Sequence, residues 1–332
     1  MQVFWEKFNW SCESLASGLW PTHDWKLAPI LGWQAGTSLM GGFRAYIWAC
    51  IGDLDFFTKT YELPNSTSNS PCALCPCDSN LVPWWEFHPG ARWIRMIYTH
   101  TQWLASGWKK CHLFNCPGVT ILSMYPDWMH IKHLGVDKVL LGSVLWLLVH
   151  WVLPGEDVEA KLRVIWSDIL RIYDEDDTPS RYGNLRLTMF TTGSTPKLKG
   201  KANEIKHLGP VLVKVWSAYM SQRMDLHKKV LTMLQLSAHL DVIVDATPGF
   251  GFDHASAVDL VSTGFAYLAL FYQMSAEFKN EPVALFSLTA KAHYMMHICL
   301  LSRSCNFIGW VSLECCACVW VCSVVLVFAR AC

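Results

Sequence analysis

The chain has 332 residues, 52% of them apolar, with 18 Trp and 16 Phe. This composition excludes a protein that is disordered over most of its length, and the length allows two domains. Basic and acidic residues are equal in number, 27 of each. That balance excludes a uniformly basic nucleic-acid coat but allows local charged patches.

The 14 cysteines do not indicate a disulfide framework. Disulfide-dense proteins are mostly small and secreted, whereas this chain is large. Its first residues include Glu6 and Lys7 and lack the apolar segment of a cleavable signal. We therefore expect a reducing compartment.

The first clear element along the chain is a buried strand at residues 43–52, an apolar run that ends at Asp53. Residues 65–79 are rich in Ser, Pro, Asn and Cys and show no hydrophobic period. Such a segment is typical of a loop or of a small module held by a metal.

Helical patterns fill most of the remaining chain. Residues 131–152 form a long apolar run that stops before Pro154, as helices do. Residues 158–173 repeat apolar side chains at three- and four-residue steps. Further helices are predicted at 201–209, 210–220, 225–240, 255–274 and 283–301. Pro210 suits the first position of its helix.

Basic residues are concentrated between residues 181 and 230, where ten Lys and Arg stand against two acids, Glu204 and Asp225. A solvated helical face explains such a run, and contact with nucleic-acid phosphates is the competing interpretation. The ten are Arg181, Arg186, Lys197, Lys199, Lys201, Lys206, Lys214, Arg223, Lys228 and Lys229.

Asp53 stands where a strand ends, which is a common position for a catalytic carboxylate. Transfer of a phosphodiester requires carboxylates that converge from distant parts of the chain to hold two divalent ions. The competing interpretation is that Asp53 caps a helix or forms a turn.

Five short strings, read in order, resemble the CACTA and Kyakuja/Dileera/Zisupton transposases, which are DDE enzymes. The strings are Gly-Asp-Leu-Asp at 52–55, Pro-Cys-Ala-Leu-Cys at 71–75, Tyr-Pro-Asp-Trp-Met-His at 125–130, Leu-Gly at 134–135 and Leu-Lys-Gly-Lys-Ala-Asn-Glu at 198–204. A stretch with Lys291, His293 and His297 also resembles the end of the family core. The resemblance extends over about residues 1–306, although only these strings are specific.

The resemblance implies a ribonuclease-H-like core that binds Mg²⁺ or Mn²⁺. Asp53 would be the second catalytic acid, with Asp55 as the alternative, and Glu204 the third. The first acid is expected on an earlier strand, and Asp24 is not preceded by an apolar strand. We therefore expect this chain alone to neither cleave nor join DNA.

Cys72 and Cys75 have the spacing of half a zinc site. The resemblance points to Asp127 and His130 as the other half. Ordinary buried thiols are the alternative interpretation, and the competing ligands are Cys77, Cys111, His112 and Cys116. Separately, His293 and His297 lie four residues apart, so one helical face could present both to a metal.

The resemblance also implies a nuclear, DNA-binding protein, which could form homo-oligomers. The DNA contacts are assigned to Lys197, Lys199, Lys201 and Lys206. The apolar tail at 307–329 has three interpretations, namely a membrane anchor, a buried helix, or sequence that replaced the original C-terminus. We favour the last, because the uninterrupted apolar stretch at 315–329 is shorter than the about 20 residues of a span.

The expected fold is predominantly α-helical, with a partial ribonuclease-H-like α/β core and a large, mostly helical insertion. We expect that core at 1–60, the Cys/His-containing insertion at 61–195, a helical segment with the third acid at 196–306, and the separate tail at 307–332. Three functions fit: a DNA-binding but catalytically incomplete transposase derivative, an active transposase completed by upstream sequence or a partner, and a non-enzymatic interaction protein with a membrane-associated tail.

Overall fold

The computed structural model describes residues 2–108, 110–247, 251–305 and 323–330. These residues are mostly helical, as predicted. The chain divides into two compact units. The sheet unit comprises Met1–Val82, Arg95–Asp127 and Glu314–Cys332, and the helical unit comprises Pro83–Ile94 and Trp128–Leu313.

The described part of the sheet unit has three strands in the order β2-β1-β3. β1 (Phe43–Gly52) runs parallel to β2 (Met124–Pro126) and antiparallel to β3 (Ser323–Arg330). The helices of this unit are α1 (Gln2–Ser17), α2 (Leu54–Tyr61) and α3 (His100–Ala105), with 3-10 turns at Met40–Gly42, His112–Asn115 and Ile121–Ser123. A further turn, Arg92–Met96, begins in the helical unit.

The predicted strand at 43–52 is confirmed as β1. Its last four residues are all buried, because a strand covered on both faces reads as a continuous apolar run. Asp53 then begins α2, and its carboxylate accepts a hydrogen bond from the Phe56 amide at 2.6 Å. α2 ends at Glu62, which adopts a left-handed conformation with φ 57°.

The helical unit is built around one continuous helix, Met129–Val152. Its centre, α4 (Lys138–Leu147), is flanked by π-helical turns at Met129–Asp137 and Leu148–Val152. The other elements are α5 (Val158–Glu175), α6 (Ala202–Tyr219), α7 (Asp225–Asp245), α8 (His254–Glu277) and α9 (Ala290–Cys305), with a 3-10 turn at Leu187–Met189.

Two predicted helix boundaries were wrong. The helices expected at 201–209 and 210–220 form the single helix α6, which continues through Pro210. Burial of Val211, Leu212, Val215 and Trp216 to 1% exposure or less offsets the hydrogen bond that proline cannot donate. The last helix begins at Ala290 rather than residue 283, because its apolar run starts before the backbone turns helical.

Among the residues that the structure describes, two helices are long and apolar enough to cross a membrane by length and composition. In Met129–Val152 72% of the apolar window is buried, and in His254–Glu277 44% is buried. Core helices of soluble proteins have the same composition. Most of the predicted tail at 307–329 lies outside the described residues.

Candidate functional site

The Cys72–Cys77 segment presents three buried thiols in the sheet unit. Cys72, Cys75 and Cys77 are each 2% exposed or less. The Leu74 amide donates to Cys72 Sγ at 3.2 Å, and the Leu74 carbonyl accepts from the Tyr98 amide at 2.9 Å. Burial raises the pKa of Cys75, and the neighbouring thiols Cys72 and Cys77 raise it further. A cation is therefore needed before these thiols ionise easily.

His293 and His297 lie one turn apart on α9 in the helical unit, and both are fully buried. Their Nε2 atoms are 3.0 Å apart. His293 Nδ1 lies 2.9 Å from the Trp84 carbonyl, so Nδ1 carries the proton and Nε2 is the nitrogen that could bind a metal. The Trp93 ring packs against both imidazoles, with centroids 4.4 and 4.9 Å away.

Ligand atoms of Cys72, Cys75, His293 and His297 all lie within 4.8 Å of one another. This buried group could bind a metal such as zinc. Two thiolates and two imidazoles are a standard tetrahedral zinc set, and the Cys-x-x-Cys and His-x-x-x-His spacings are typical of it. Two nitrogens at ~2.0–2.1 Å from one tetrahedral zinc would be separated by about 3.3 Å, close to the 3.0 Å between the Nε2 atoms.

Asp127 and His130, the expected partners of the cysteines, belong to neither group of possible metal ligands among the described residues. Asp127 follows β2, and its amide donates to the Gly52 carbonyl at 2.8 Å. The carbonyl of His130 accepts from Lys291 Nζ at 2.8 Å. Their role as zinc ligands stays a prediction.

A second group of possible metal ligands, His133, Asp137 and Asp241, surrounds the buried ammonium of Lys132. Lys132 Nζ donates to Asp137 Oδ2 at 2.6 Å, Asp241 Oδ2 at 2.7 Å and Ser237 Oγ at 3.0 Å. All three donors of the ammonium are thus satisfied. A metal would have to displace this tethered cation, so we interpret the group as a structural ion network.

The network is closed by further contacts to Asp137 and Asp241. Ser237 Oγ donates to Asp137 Oδ1 at 2.8 Å and Tyr267 to the same oxygen at 3.3 Å. His133 lies 3.1 Å from Asp137 through Nδ1 and 3.6 Å from Asp241 through Nε2. The sequence reasoning missed this network, although charged residues at steps of one, four and five within the apolar run 131–152 were its signal.

The predicted catalytic carboxylates make local structural contacts. Asp53 caps α2 through the Phe56 amide, and Glu204 caps α6 by accepting from the Lys201 amide at 2.7 Å. Asp55 pairs with Lys59 at 2.6 Å. Asp24 accepts from two amides of its own turn, those of Lys26 and Ala28. Neither group of possible metal ligands among the described residues contains any of these acids.

The ten basic residues of 181–230 differ in whether they pair with acids. Four of them pair with acids: Arg181 with Asp174 and Asp177, Lys206 with Asp245, Lys214 with Asp176, and Lys229 with Asp225 and Glu277. The other six have no ion pair within the described part of the chain, and three of these, Lys197, Lys199 and Lys201, are exposed close together in the sequence. These three lysines, at alternate positions before α6, are called the lysine row.

The backbone of the lysine row is held firmly in the helical unit. The Leu198 amide donates to the Lys138 carbonyl at 2.8 Å, and the Lys199 amide donates to the Met189 carbonyl at 2.8 Å. Leu198 is 1% exposed, so the lysines on either side of it project outward. A Cβ on Gly142 would lie 2.8 Å from the Leu198 nitrogen, which shows how closely α4 packs on the row.

Positive charges lie close together near the lysine row. Burial lowers the pKa of Lys138, and the positive charge of Lys197 lowers it further. Lys206, the fourth lysine assigned to DNA, is instead paired with Asp245 and has a side chain only 11% exposed. The chain matches no protein-family model, no curated protein and no solved structure.

Proposed function

We propose that this protein binds the phosphate backbone of DNA through the lysine row. The observation that carries this proposal is that Lys197, Lys199 and Lys201 are exposed and pair with no acid among the described residues, whereas four other basic residues of the segment are paired. Unpaired cations that are held in place can neutralise phosphates and release counterions, which drives binding without sequence specificity.

The geometry of the lysine row suits a linear polyanion. Lys197 and Lys199 are exposed on either side of the buried Leu198, so the loop presents neighbouring cations to the phosphates. The two anchoring hydrogen bonds and buried Leu198 fix the backbone before the ligand arrives. Binding then orders the lysine side chains but not the backbone, which lowers the entropic cost.

The proposed ancestry is a DDE transposase whose catalytic set is incomplete in this chain. Glu204 already caps α6 and Asp53 already caps α2. We therefore propose binding without strand cleavage, in a nuclear protein. Its cofactor would be one Zn²⁺ held by Cys72, Cys75, His293 and His297, whose donor set and spacing support zinc over Mg²⁺.

A second candidate function is a complete transposase in which upstream sequence or a partner supplies another acid. One observation favours it. β1 and β2 are parallel neighbours, and each is followed directly by an aspartate, Asp53 and Asp127, joined by the Asp127 amide to Gly52 carbonyl bond of 2.8 Å. Carboxyl ends of adjacent parallel strands are where ligand-binding residues of α/β folds collect.

The test is the salt dependence of binding to a random-sequence DNA duplex, measured by fluorescence anisotropy. Each lost phosphate contact reduces the slope of log K against log salt by about 0.9. The variant Lys197→Ala/Lys199→Ala should therefore lose about 1.8 in slope, and about 30-fold in affinity at ~0.15 M salt.

The matched control is Lys214→Ala/Lys229→Ala, which removes the same charge from lysines that already pair with Asp176 and with Glu277. Its slope should stay close to that of the unmodified protein. Equal slope changes in the two variants would show that only net charge matters. Binding that does not weaken as salt rises would remove the proposed role.

A further inference from the structure

α1 carries a cysteine that faces a second cysteine in the sheet unit. Asn9 and Cys12 lie three residues apart on α1 and so share one face of the helix. Asn9 Nδ2 donates to the His112 carbonyl at 3.0 Å, and Cys116 Sγ donates to Asn9 Oδ1 at 2.7 Å. The turn at His112–Asn115 is thereby held against this face.

Cys12 lies one turn along α1 from Asn9, close enough to the same Cys116 thiol for a hydrogen bond from Cys116 to lower the pKa of Cys12. A thiol has one hydrogen, so Cys116 can donate to Asn9 or to Cys12 but not to both at once. When Cys12 ionises, the charged sulfur is the stronger acceptor. The two thiols are therefore neighbours with different roles, Cys116 as the hydrogen-bond donor and Cys12 as the acceptor.

The two thiols also differ in how exposed they are to solvent. Cys12 is partly exposed, whereas Cys116 is 3% exposed. The hydrogen bond from Cys116 lowers the pKa of Cys12, against the opposing effects of burial and of Glu13. The pKa of Cys116 is raised, first by its bond with Cys12 and then by burial. An accessible thiol with thiolate character beside a buried one is the usual arrangement of a redox-sensitive pair.

We propose that Cys12 and Cys116 form a peroxide-sensitive dithiol, in which Cys12 attacks the oxidant and Cys116 resolves the product. The Cys12 sulfur attacks one oxygen of hydrogen peroxide, the O–O bond breaks, and Cys12 becomes a sulfenic acid as one water leaves. The Cys116 sulfur then attacks the Cys12 sulfur. The S–S bond forms, the S–O bond breaks, and the hydroxyl leaves with the Cys116 proton as a second water.

The overall step oxidises two thiols to one disulfide and reduces one peroxide to two waters. Other cysteines are less suited. Cys50 and Cys299 are fully buried, and burial raises the pKa of Cys299 to about 12. Cys72 and Cys75 are buried in the candidate metal group. The proposal is independent of DNA binding, because none of the residues involved belongs to the lysine row.

The test uses the purified full chain with its zinc content unchanged, treated with one equivalent of hydrogen peroxide, alkylated, and digested with trypsin without reductant. Cys12 lies in peptide 8–26, and Cys116 lies in peptide 111–132 together with Cys111. We expect these two peptides to appear cross-linked, with fragmentation placing the bond at Cys116. Peptides 45–59 and 292–303, which contain Cys50 and Cys299, should remain fully alkylated.

Two variants then assign the order of attack. Cys116→Ser should leave a Cys12 sulfenic acid that dimedone traps, whereas Cys12→Ser should leave Cys116 unoxidised. A first oxidation at Cys72 and Cys75, a cross-link through Cys111, or no change at Cys12 would each overturn the proposal. The unmodified chain alone decides among these results, so the test survives a variant that fails to fold.

Discussion

Replacement of Lys132 by Met tests the buried ion network. The change keeps most of the volume but removes an ammonium that is fully buried and bonded to Asp137, Asp241 and Ser237. Two buried carboxylates are left without their cation. Removal of one partner from a buried ion pair costs about 3–5 kcal/mol, so we expect a loss of that size in the free energy of unfolding.

The pH dependence of stability gives a second, independent measure of what the ion network contributes to the free energy of unfolding. Burial raises the pKa of Asp137, but Lys132 and then His133 outweigh burial and hold it at about 2, below the ordinary 3.8. A lowered folded-state pKa stabilises the protein above the unfolded pKa, by about 2 kcal/mol here. That contribution is lost as the pH falls from about 4 through about 2.

In Lys132→Met the main opposing effect is absent and burial raises the pKa of Asp137. The folded form then takes up a proton more readily than the unfolded form, so acidification stabilises the folded variant relative to its unfolded state. The stability difference between the variant and the unmodified protein should therefore shrink between pH 7 and pH 4, as measured by urea unfolding followed by tryptophan fluorescence.

Lys214→Met is the control, because Lys214 also pairs with an aspartate but its side chain is 53% exposed. An exposed pair contributes about 0–1 kcal/mol. A buried ion network of this strength is refuted if Lys132→Met lowers the free energy of unfolding no more than Lys214→Met at pH 7, or if the stability difference of Lys132→Met grows on acidification.

Three other changes probe the zinc group, the lysine row and the helix caps. His297→Ala should lower the zinc content of the purified protein below one ion per chain, as measured by elemental analysis. If His297→Ala retains zinc and His130→Ala loses it, the ligand set that the motifs predicted, which includes His130, would be favoured instead. Gly142→Ala should lower the free energy of unfolding by about 1–3 kcal/mol and weaken DNA binding, because its Cβ would lie 2.8 Å from the Leu198 nitrogen. The control is Gly183→Ala, whose Cβ would meet nothing within 4 Å. This control should change neither the stability nor the DNA binding. Asp53→Ala should cost about 1 kcal/mol through loss of the α2 cap, with no Mg²⁺-dependent strand cleavage before or after the change; cleavage by the unmodified chain that this variant abolishes would favour the complete enzyme.

Local patterns in the sequence were sufficient to place the long elements. The run at 43–52 is continuous and apolar and became β1, and the periodic segments became α5, α7 and α8. Pro210 was misread because its preference for a helix start is a local rule. Whether a helix continues through a proline depends on the surface that its next two turns bury, which is a tertiary quantity.

The two halves of the metal group were both visible in the sequence, but their pairing was not. Cys-x-x-Cys and His-x-x-x-His each state a ligand spacing, and neither states which other half it meets. The motif order favoured Asp127 and His130 beside the cysteines, whereas His293 and His297 lie there in the structure. Contacts between residues so distant in the chain depend on the whole fold, and local spacing cannot supply them.

Local sequence is equally unable to show which basic residues are paired with acids. The excess of basic residues at 181–230 is visible in the sequence, but the acidic partner of each basic residue is not. Asp176, Asp245 and Glu277 lie outside that segment and neutralise Lys214, Lys206 and Lys229. Once these pairs and those of Arg181 are removed, six basic residues of the segment have no ion pair among the described residues, and three of these six form the lysine row before α6.

The ion network and the lysine row meet on one helix, which leads to a further prediction. Lys132 and Asp137 fix Met129–Val152 to α7 through Ser237 and Asp241, and the Lys138 carbonyl of the same helix anchors the Leu198 amide. Loss of the network should therefore misplace the row without removing any of its charges.

Lys132→Met should accordingly weaken DNA binding while leaving the slope of log K against log salt unchanged, because the number of phosphate contacts stays the same. Lys197→Ala/Lys199→Ala should instead lower both the affinity for DNA and the slope of log K against log salt. A fall in slope for Lys132→Met would mean that lysine contacts are lost outright. Unchanged affinity in a folded Lys132→Met protein would mean that the row keeps its position without the network, since its own hydrogen bonds to Lys138 and Met189 would then be sufficient.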